Sequence, residues 1–305
     1  MKNQANRKLI SNAVFLYLMT TSIQILNLLT VPYLSRVLGP TEYGQIGLAL
    51  GYMAYVQIIL DFGFTLYATK KISENKTDKC KIEYIITAVT FIKVILAVCL
   101  GVVFLLFLYI NVFDVTLMTI LQVYLLGYLI TALLPDFYYR GMENMKSIAL
   151  RTLIVRVLFT LLIFLCVRKK EDIMFVPVCF LVGSILAFII TAADIRWKKQ
   201  ITFRWPGRKY VMSMVRSAFP YFTSRFASTF YQALNVIIIG KIYGTAPEVG
   251  YYTSSDKCLS LVKMGSSPIA DSLYPYMLNH KNYRLIKRLL GFVMPIITVG
   301  VIIIG

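Results

Sequence analysis

YIITAVTFIKVILAVCLGVVFLLFLYI, residues 84–110, decides the fold class. It carries one charge, Lys93, and exceeds the roughly 20 apolar residues a helix needs to cross a hydrocarbon core about 30 Å thick. A soluble amphipathic helix of that length would keep a polar face, and none is present. Working outward, further apolar blocks occupy 9–34, 45–67, 115–138, 150–167, 173–195, 212–240, 249–277 and 289–305, each set off by short polar punctuation. The whole chain has 305 residues, 58% hydrophobic and only 15% charged, against about 25% charged in a soluble domain. The reading is all-α: a polytopic transmembrane helix bundle of about eight or nine spans.

The net charge of +18 raises nucleic acid as a partner, and the positions of the charges exclude it. With the N-terminus in the cytoplasm, 22 of the 32 basic residues fall in inside segments, among them Lys76, Lys81, Arg140, Arg151, Arg204 and Arg208. That is the positive-inside pattern of an inner-membrane protein, in which basic loops also attract anionic lipid headgroups. The run Arg168–Lys170, followed by Glu171 and Asp172, is the local exception on the outside. The first block follows a basic tail as a signal peptide would, but it is too long and lacks a small-residue cleavage site. The five cysteines have neither disulfide nor zinc spacing.

Arg196–Lys209, the longest polar stretch between spans, contains Trp205-Pro206-Gly207 and divides the chain. Residues 1–200 read as a first six-helix lobe. Residues 201–305 read as a partial second lobe holding spans seven, eight and part of nine. A short internal repeat agrees: Glu42-Tyr43-Gly44 after span one matches Glu248-Val249-Gly250 after span seven, and the same offset lays Ser11 and Phe15 on Ser217 and Tyr221. Parallel repeats of this kind occur in transporters. Val301–Gly305 ends the sequence inside an apolar run, which is expected of a truncated second lobe.

No catalytic residue, metal site or cofactor motif is expected. The one histidine, His280, has no convergent ligands or orienting partner in view, and there is no phosphate loop or nucleophile elbow. Charge at membrane depth is the informative signal, because each such group costs a few kcal/mol and normally faces a bundle interior or wet cavity. Asp61, Lys93, Arg156, Arg225, Asp256, Lys257, Lys263 and Asp271 fall in or near spans. In span seven Ser217, Tyr221, Ser224, Ser228, Tyr231, Gln232 and Asn235 share a helical face bordered by Arg225. In span eight Asp256, Ser260, Lys263, Ser267, Asp271 and Tyr274 do the same, and span one adds Tyr17, Thr20, Gln24 and Asn27.

The candidate cavity set is therefore Arg225, Lys263, Asp61, Asp256, Asn235, Gln24, Asn27 and Ser228. Arg225 and Lys263 would contact an anion, and Asp61 and Asp256 would hold neighbouring charges in place. Plainer readings stand beside this one: structural ion pairs at Asp61 or Asp256, interfacial snorkelling by Lys257 and Asp271, and close helix packing at Gly47-Leu48-Ala49-Leu50-Gly51. Five basic against three acidic residues at depth favour an anionic substrate over a cationic drug.

Four segments carry a family resemblance. Leu29-Thr30-Val31-Pro32-Tyr33-Leu34-Ser35-Arg36-Val37-Leu38-Gly39-Pro40 with Glu42-Tyr43-Gly44 resembles the first-hairpin signature of bacterial polysaccharide (O-antigen, Wzx-type) flippases. Asp61-Phe62-Gly63-Phe64, Pro135-Asp136-Phe137-Tyr138-Tyr139-Arg140-Gly141-Met142-Glu143, and Val249-Gly250-Tyr251-Tyr252 with Lys257 resemble later motifs of that family, in order. The resemblance implies the multidrug/oligosaccharidyl-lipid/polysaccharide exporter fold and flipping of undecaprenyl-diphosphate-linked oligosaccharide for surface polysaccharide. It also implies a lipid-linked oligosaccharide substrate, surrounding membrane lipids, and polysaccharide polymerase and ligase components as partners. Asn235 departs from the pattern, since family members often carry an acid late in span seven. The alternatives are a multidrug or cation antiporter of the same fold, which would want a more acidic cavity, and a membrane oligosaccharide polymerase or ligase, which would want a large external loop.

Overall fold

A computed structural model describes residues 2–110, 114–244 and 247–257; side chains are described from Thr20 onward, except at 228 and 231–233. Among the described residues the chain is helical throughout, with no strand. The helices are α1 (Lys2–Leu38), α2 (Pro40–Asp61), α3 (Phe64–Glu74), α4 (Lys79–Ile110), α5 (Val115–Ala132), α6 (Asp136–Gly141), α7 (Met145–Cys166), α8 (Phe175–Ala193) and α9 (Arg208–Tyr243). A further helical stretch covers 247–257. Five helical stretches are long and apolar enough to cross a membrane: Pro40–Glu74, Lys79–Ile110, Val115–Gly141, Met145–Cys166 and Lys170–Lys198. Most of the expected eighth span and all of the ninth lie outside the described residues.

The apolar surface is arranged for lipid rather than water. Along α4, Val98, Val102, Val103, Leu106 and Ile110 are exposed, while Ile85, Ile86, Val89 and Leu108 are buried. The helix thus turns one apolar face outward and another inward, as expected where hydrocarbon replaces water.

α2 is the hub. It packs on α5 on one side and on α9 on the other, while α1 pairs with α7 and α5 with α8. Its start is set by Gly39, whose φ of 83° suits glycine, with Pro40 in the first turn, where its missing N–H costs nothing. Its outer flank needs glycine for a different reason. A Cβ on Gly47 would lie 2.1 Å from the Thr253 hydroxyl, and one on Gly250 would lie 1.9 Å from the Pro40 carbonyl oxygen. The Gly47 end of the small-residue run is therefore a close-packing face, as expected, whereas Gly51 makes only ordinary contacts with Val236 and Ile237.

The expected second span, 45–67, is not one continuous helix. Phe62 (φ 44°) and Gly63 (φ 74°) break it into α2 and α3. The break lets α9 approach: a Cβ on Gly63 would sit 2.6 Å from the Phe222 amide nitrogen. Phe62 stacks on Phe222 with ring centroids 4.9 Å apart. The fourth expected span, 115–138, is likewise divided after Ala132, ahead of Pro135, into α5 and α6.

Loops from distant parts of the chain meet at the basic end. Lys76 pairs with Glu143. The segment between α8 and α9 is strapped onto α4. The buried Glu83 carboxylate accepts the Thr202 amide at 3.1 Å and pairs with Arg204 at 3.1 Å. The Arg204 amide donates to the Thr87 hydroxyl at 2.9 Å, and Trp205 meets Phe91 edge-on at 4.7 Å. At the opposite end Arg168–Lys170 is balanced locally. Asp172 accepts the amides of Arg168 and Lys169, and Lys170 lies 3.6 Å from Glu42.

Candidate functional site

Two polar groups lie at helix seams, one between α2 and α9 and one between α1 and α7. The first joins the ends of two helices: Asp61 closes α2, Arg225 lies mid-way along α9, and their charged atoms are 3.4 Å apart. The pair is loose and partly open, with the arginine side chain 47% exposed and the aspartate 17%. Asp61 is held from its own side by Thr65, whose hydroxyl and amide both donate to the same carboxylate oxygen. The carboxylate is therefore anchored on α3.

The second group is centred on Arg156 of α7. Its guanidinium donates to the Asn27 side-chain carbonyl of α1, and the Asn27 amide in turn donates to Gln24 at 2.8 Å. This fixes Gln24 and Asn27 on the face that the span-one stripe predicts. Arg156 also lies 5.0 Å from the Phe159 ring and within electrostatic reach of Tyr124 and Tyr128 on α5. Among the described residues its Nε is buried without a hydrogen-bond partner, as is the hydroxyl of Thr160 one turn further on.

Asn235 is half-buried in α9, and Asp256 is exposed beside Lys257. The Ser228 side chain and the whole of Lys263 lie outside the described residues, so the expected Arg225–Lys263 pairing is not in view.

Two deep cations have other occupations. Lys93, 4% exposed, donates to the Ala132 carbonyl at 3.0 Å and sits 5.6 Å from the Phe137 ring. Its charge meets a carbonyl left free where α5 ends, a favourable place for a cation. Arg151, assigned from sequence to an inside loop, is instead buried on α7. It bonds Asp136 at 2.7 Å and Thr191 of α8 at 3.0 Å. The Pro135-Asp136 motif thereby gains a physical reason. Asp136 starts α6 and ties it to α7, while Tyr139 donates to Asp194 at 2.7 Å. Arg151 and Arg156 both line a cleft of about 290 Å³ between α5, α7 and α8.

The sequence listed Arg156 among the charges at depth without placing it in the cavity set. The signal was its position between Val155 and Val157 in the middle of a span that carries no acid to neutralise it.

Among the described residues no cluster of histidine, cysteine or acidic side chains could hold a metal ion.

Comparison with known proteins follows the same direction. A family described as polysaccharide biosynthesis protein matches residues 9–280. A protein of Escherichia coli strain K12 named "Putative O-antigen transporter" is 28% identical over 278 residues, which is 87% of this chain and 63% of that protein. One of the same name from Shigella dysenteriae is 22% identical over 280 residues, 91% of this chain and 69% of that one. The chain therefore spans between 63% and 69% of the length of these relatives. Among solved structures, an inward-facing multidrug resistance transporter of the MATE family in the MOP superfamily superposes with a TM-score of 0.66 at 15% identity, covering 90% of this chain and 67% of that one. A MATE protein in a bent conformation gives 0.55 at 16% identity, covering 84% and 61%. At these identities the likeness is one of fold.

Proposed function

Because the chain belongs to the polysaccharide biosynthesis protein family, we propose that it serves to flip undecaprenyl-diphosphate-linked oligosaccharide from the cytoplasmic to the outer leaflet of a bacterial inner membrane. The observation that carries this reading is the Arg156 group: a deep guanidinium held by a neutral amide rather than an acid, lining the cleft between α5, α7 and α8. A diphosphate is the part of such a lipid that needs cations, and arginine can present two parallel donors to phosphate oxygens. In this reading Arg225 and Lys263 are further headgroup contacts. Asp61 and Asp256 keep neighbouring charges in position until the substrate arrives, and Gln24, Asn27, Ser228 and Asn235 offer neutral hydrogen bonds to sugar hydroxyls. The basic end faces the cytoplasm, following the positive-inside pattern. Residues 1–200 act as one lobe and residues from 201 onward as the beginning of another, rocking about the shared site.

The fold is shared with multidrug transporters, so the competing substrate is an organic cation. Binding separates the two without requiring turnover. The purified chain should retain a polyprenyl-diphosphate glycan at least ten-fold more tightly than the same glycan on a polyprenyl alcohol. That ratio corresponds to about 1.4 kcal/mol, within the range of one charge-assisted contact. Arg156→Gln should remove most of the preference. Equal retention of both lipids, or tighter binding of a quaternary ammonium dye, would return the protein to the antiporter class.

A further inference from the structure

A groove of about 610 Å³ runs along the outer seam between α4 and α9. Its walls are apolar: Phe91, Ile95 and Leu96 from α4, and Val211 and Met212 from α9. Several of these are far more exposed than a core would allow, Met212 at 68% and Ile95 at 46%. The volume is within the roughly 300–1,000 Å³ of clefts that take one small ligand, which suits a single acyl chain.

The basic end of the groove carries the polar features. Trp205 and Arg208 form its rim, and the strap onto α4 keeps Trp205 against Phe91. Arg208 is exposed, and among the described residues its guanidinium has no ion-pair partner. Arg204 nearby is already engaged by Glu83. One uncommitted guanidinium over an apolar slot, beside an indole of the kind enriched at membrane interfaces, complements one phosphodiester monoanion on a fatty chain.

We propose that this groove is a binding site for an anionic phospholipid of the leaflet at the basic end, with an acyl chain along α4 and α9 and the phosphate on Arg208. The site joins α4, which precedes the α8–α9 connection, to α9, which follows it. A bound lipid therefore fills the seam between the two parts of the chain. It is separate from the Arg156 group and does not depend on what that group carries.

Trp205 reports directly on the groove. The chain has two tryptophans, so Trp197→Phe leaves Trp205 alone. In bilayers doped with phospholipid brominated on its acyl chains, phosphatidylglycerol should quench Trp205 at a mole fraction about five-fold lower than phosphatidylcholine, the factor expected for one arginine near an anionic headgroup. Arg208→Gln should erase the difference while leaving quenching by brominated phosphatidylcholine as in the parent, which shows that the groove is intact. Arg208→Lys should keep most of the difference. Equal quenching by the two lipids, or a preference that survives Arg208→Gln, would overturn the proposal. So would relief of quenching by inorganic phosphate, which would make the site one for a free anion. Relief by substoichiometric polyprenyl phosphate would also overturn it, assigning the groove to the transported lipid.

Discussion

Arg151–Asp136 and Arg225–Asp61 are both arginine–aspartate pairs in spanning helices, yet they are built for different ends. The first is short, 2.7 Å, with its arginine 7% exposed and a further bond to Thr191. It closes α6 onto α7 and α8, so every donor it uses is spent inside the fold. The second is long, 3.4 Å, with its arginine 47% exposed, and it spans the seam between α2 and α9. A charge buried with its partner is costly to break because the survivor is stranded, whereas an open pair contributes little to stability. The lesson is that intramembrane charge marks function only where the fold has left the charge with capacity to bind something else. Arg151 and Lys93 are committed inside the fold, so the proposed headgroup contacts are sought at Arg156 and Arg225 instead.

The comparison breaks most visibly at the tight pair. Asp136→Ala should destabilise the protein by about 3–5 kcal/mol, because it strands Arg151. The expected outcome is low membrane abundance and a lower melting temperature in detergent. Near-normal abundance would show that Arg151 finds another acid.

At the open pair the expectation reverses. Arg225→Ala should leave membrane levels within two-fold while removing surface polysaccharide in a strain that depends on the complete transporter for export. Normal export by Arg225→Ala combined with Lys263→Ala would remove both from the site. Arg225→Lys should retain part of the activity, since the charge remains and the planar fork is lost.

The strap onto α4 lies between these extremes. Glu83→Ala leaves the Thr202 amide without its acceptor and should cost about 1–3 kcal/mol. Glu83→Gln keeps an acceptor and should cost less, because Arg204 is largely solvent-exposed and its ion pair is screened. Proteolysis between α8 and α9 would read the difference, with Glu83→Ala cut fastest. The smallest effect belongs to Lys76–Glu143, an exposed pair. A double-mutant cycle there should give less than about 1 kcal/mol.

The membrane class, the all-helical fold and the shared face of Gln24 and Asn27 on α1 were legible because each depends on local composition or on a period within one helix. What stayed hidden depends on partners far along the chain. Arg151 read as a loop cation because its acid, Asp136, precedes it across the turn that Pro135 opens, and its other partner is Thr191 on α8. Arg156 read as an isolated charge because Asn27, which holds it, is on α1. The break after α2 was invisible for a different reason: Phe62, rather than glycine or asparagine, adopts the left-handed conformation there, and the approach of α9 supplies the compensation. Gly47, by contrast, could be read as a packing residue from its setting alone, though not that it would meet Thr253, while the need for glycine at 250, against the Pro40 carbonyl, had no local signal.

The strap has a further consequence for anyone dividing this polypeptide into two co-expressed halves. A connection between helical units is usually the safe place to cut, and Arg196–Lys209 looks like such a connection. Residues 201–205, however, belong physically to α4: Ile201 is buried, Thr202 and Arg204 are bonded to it, and Trp205 rests on it. A cut before Ile201 would hand those groups to the wrong fragment and leave Glu83 facing a chain end. The natural seam for scission lies just before Gly207, whose φ is 91° and whose Cα faces open space, while its carbonyl already belongs to α9 by accepting the Val211 amide.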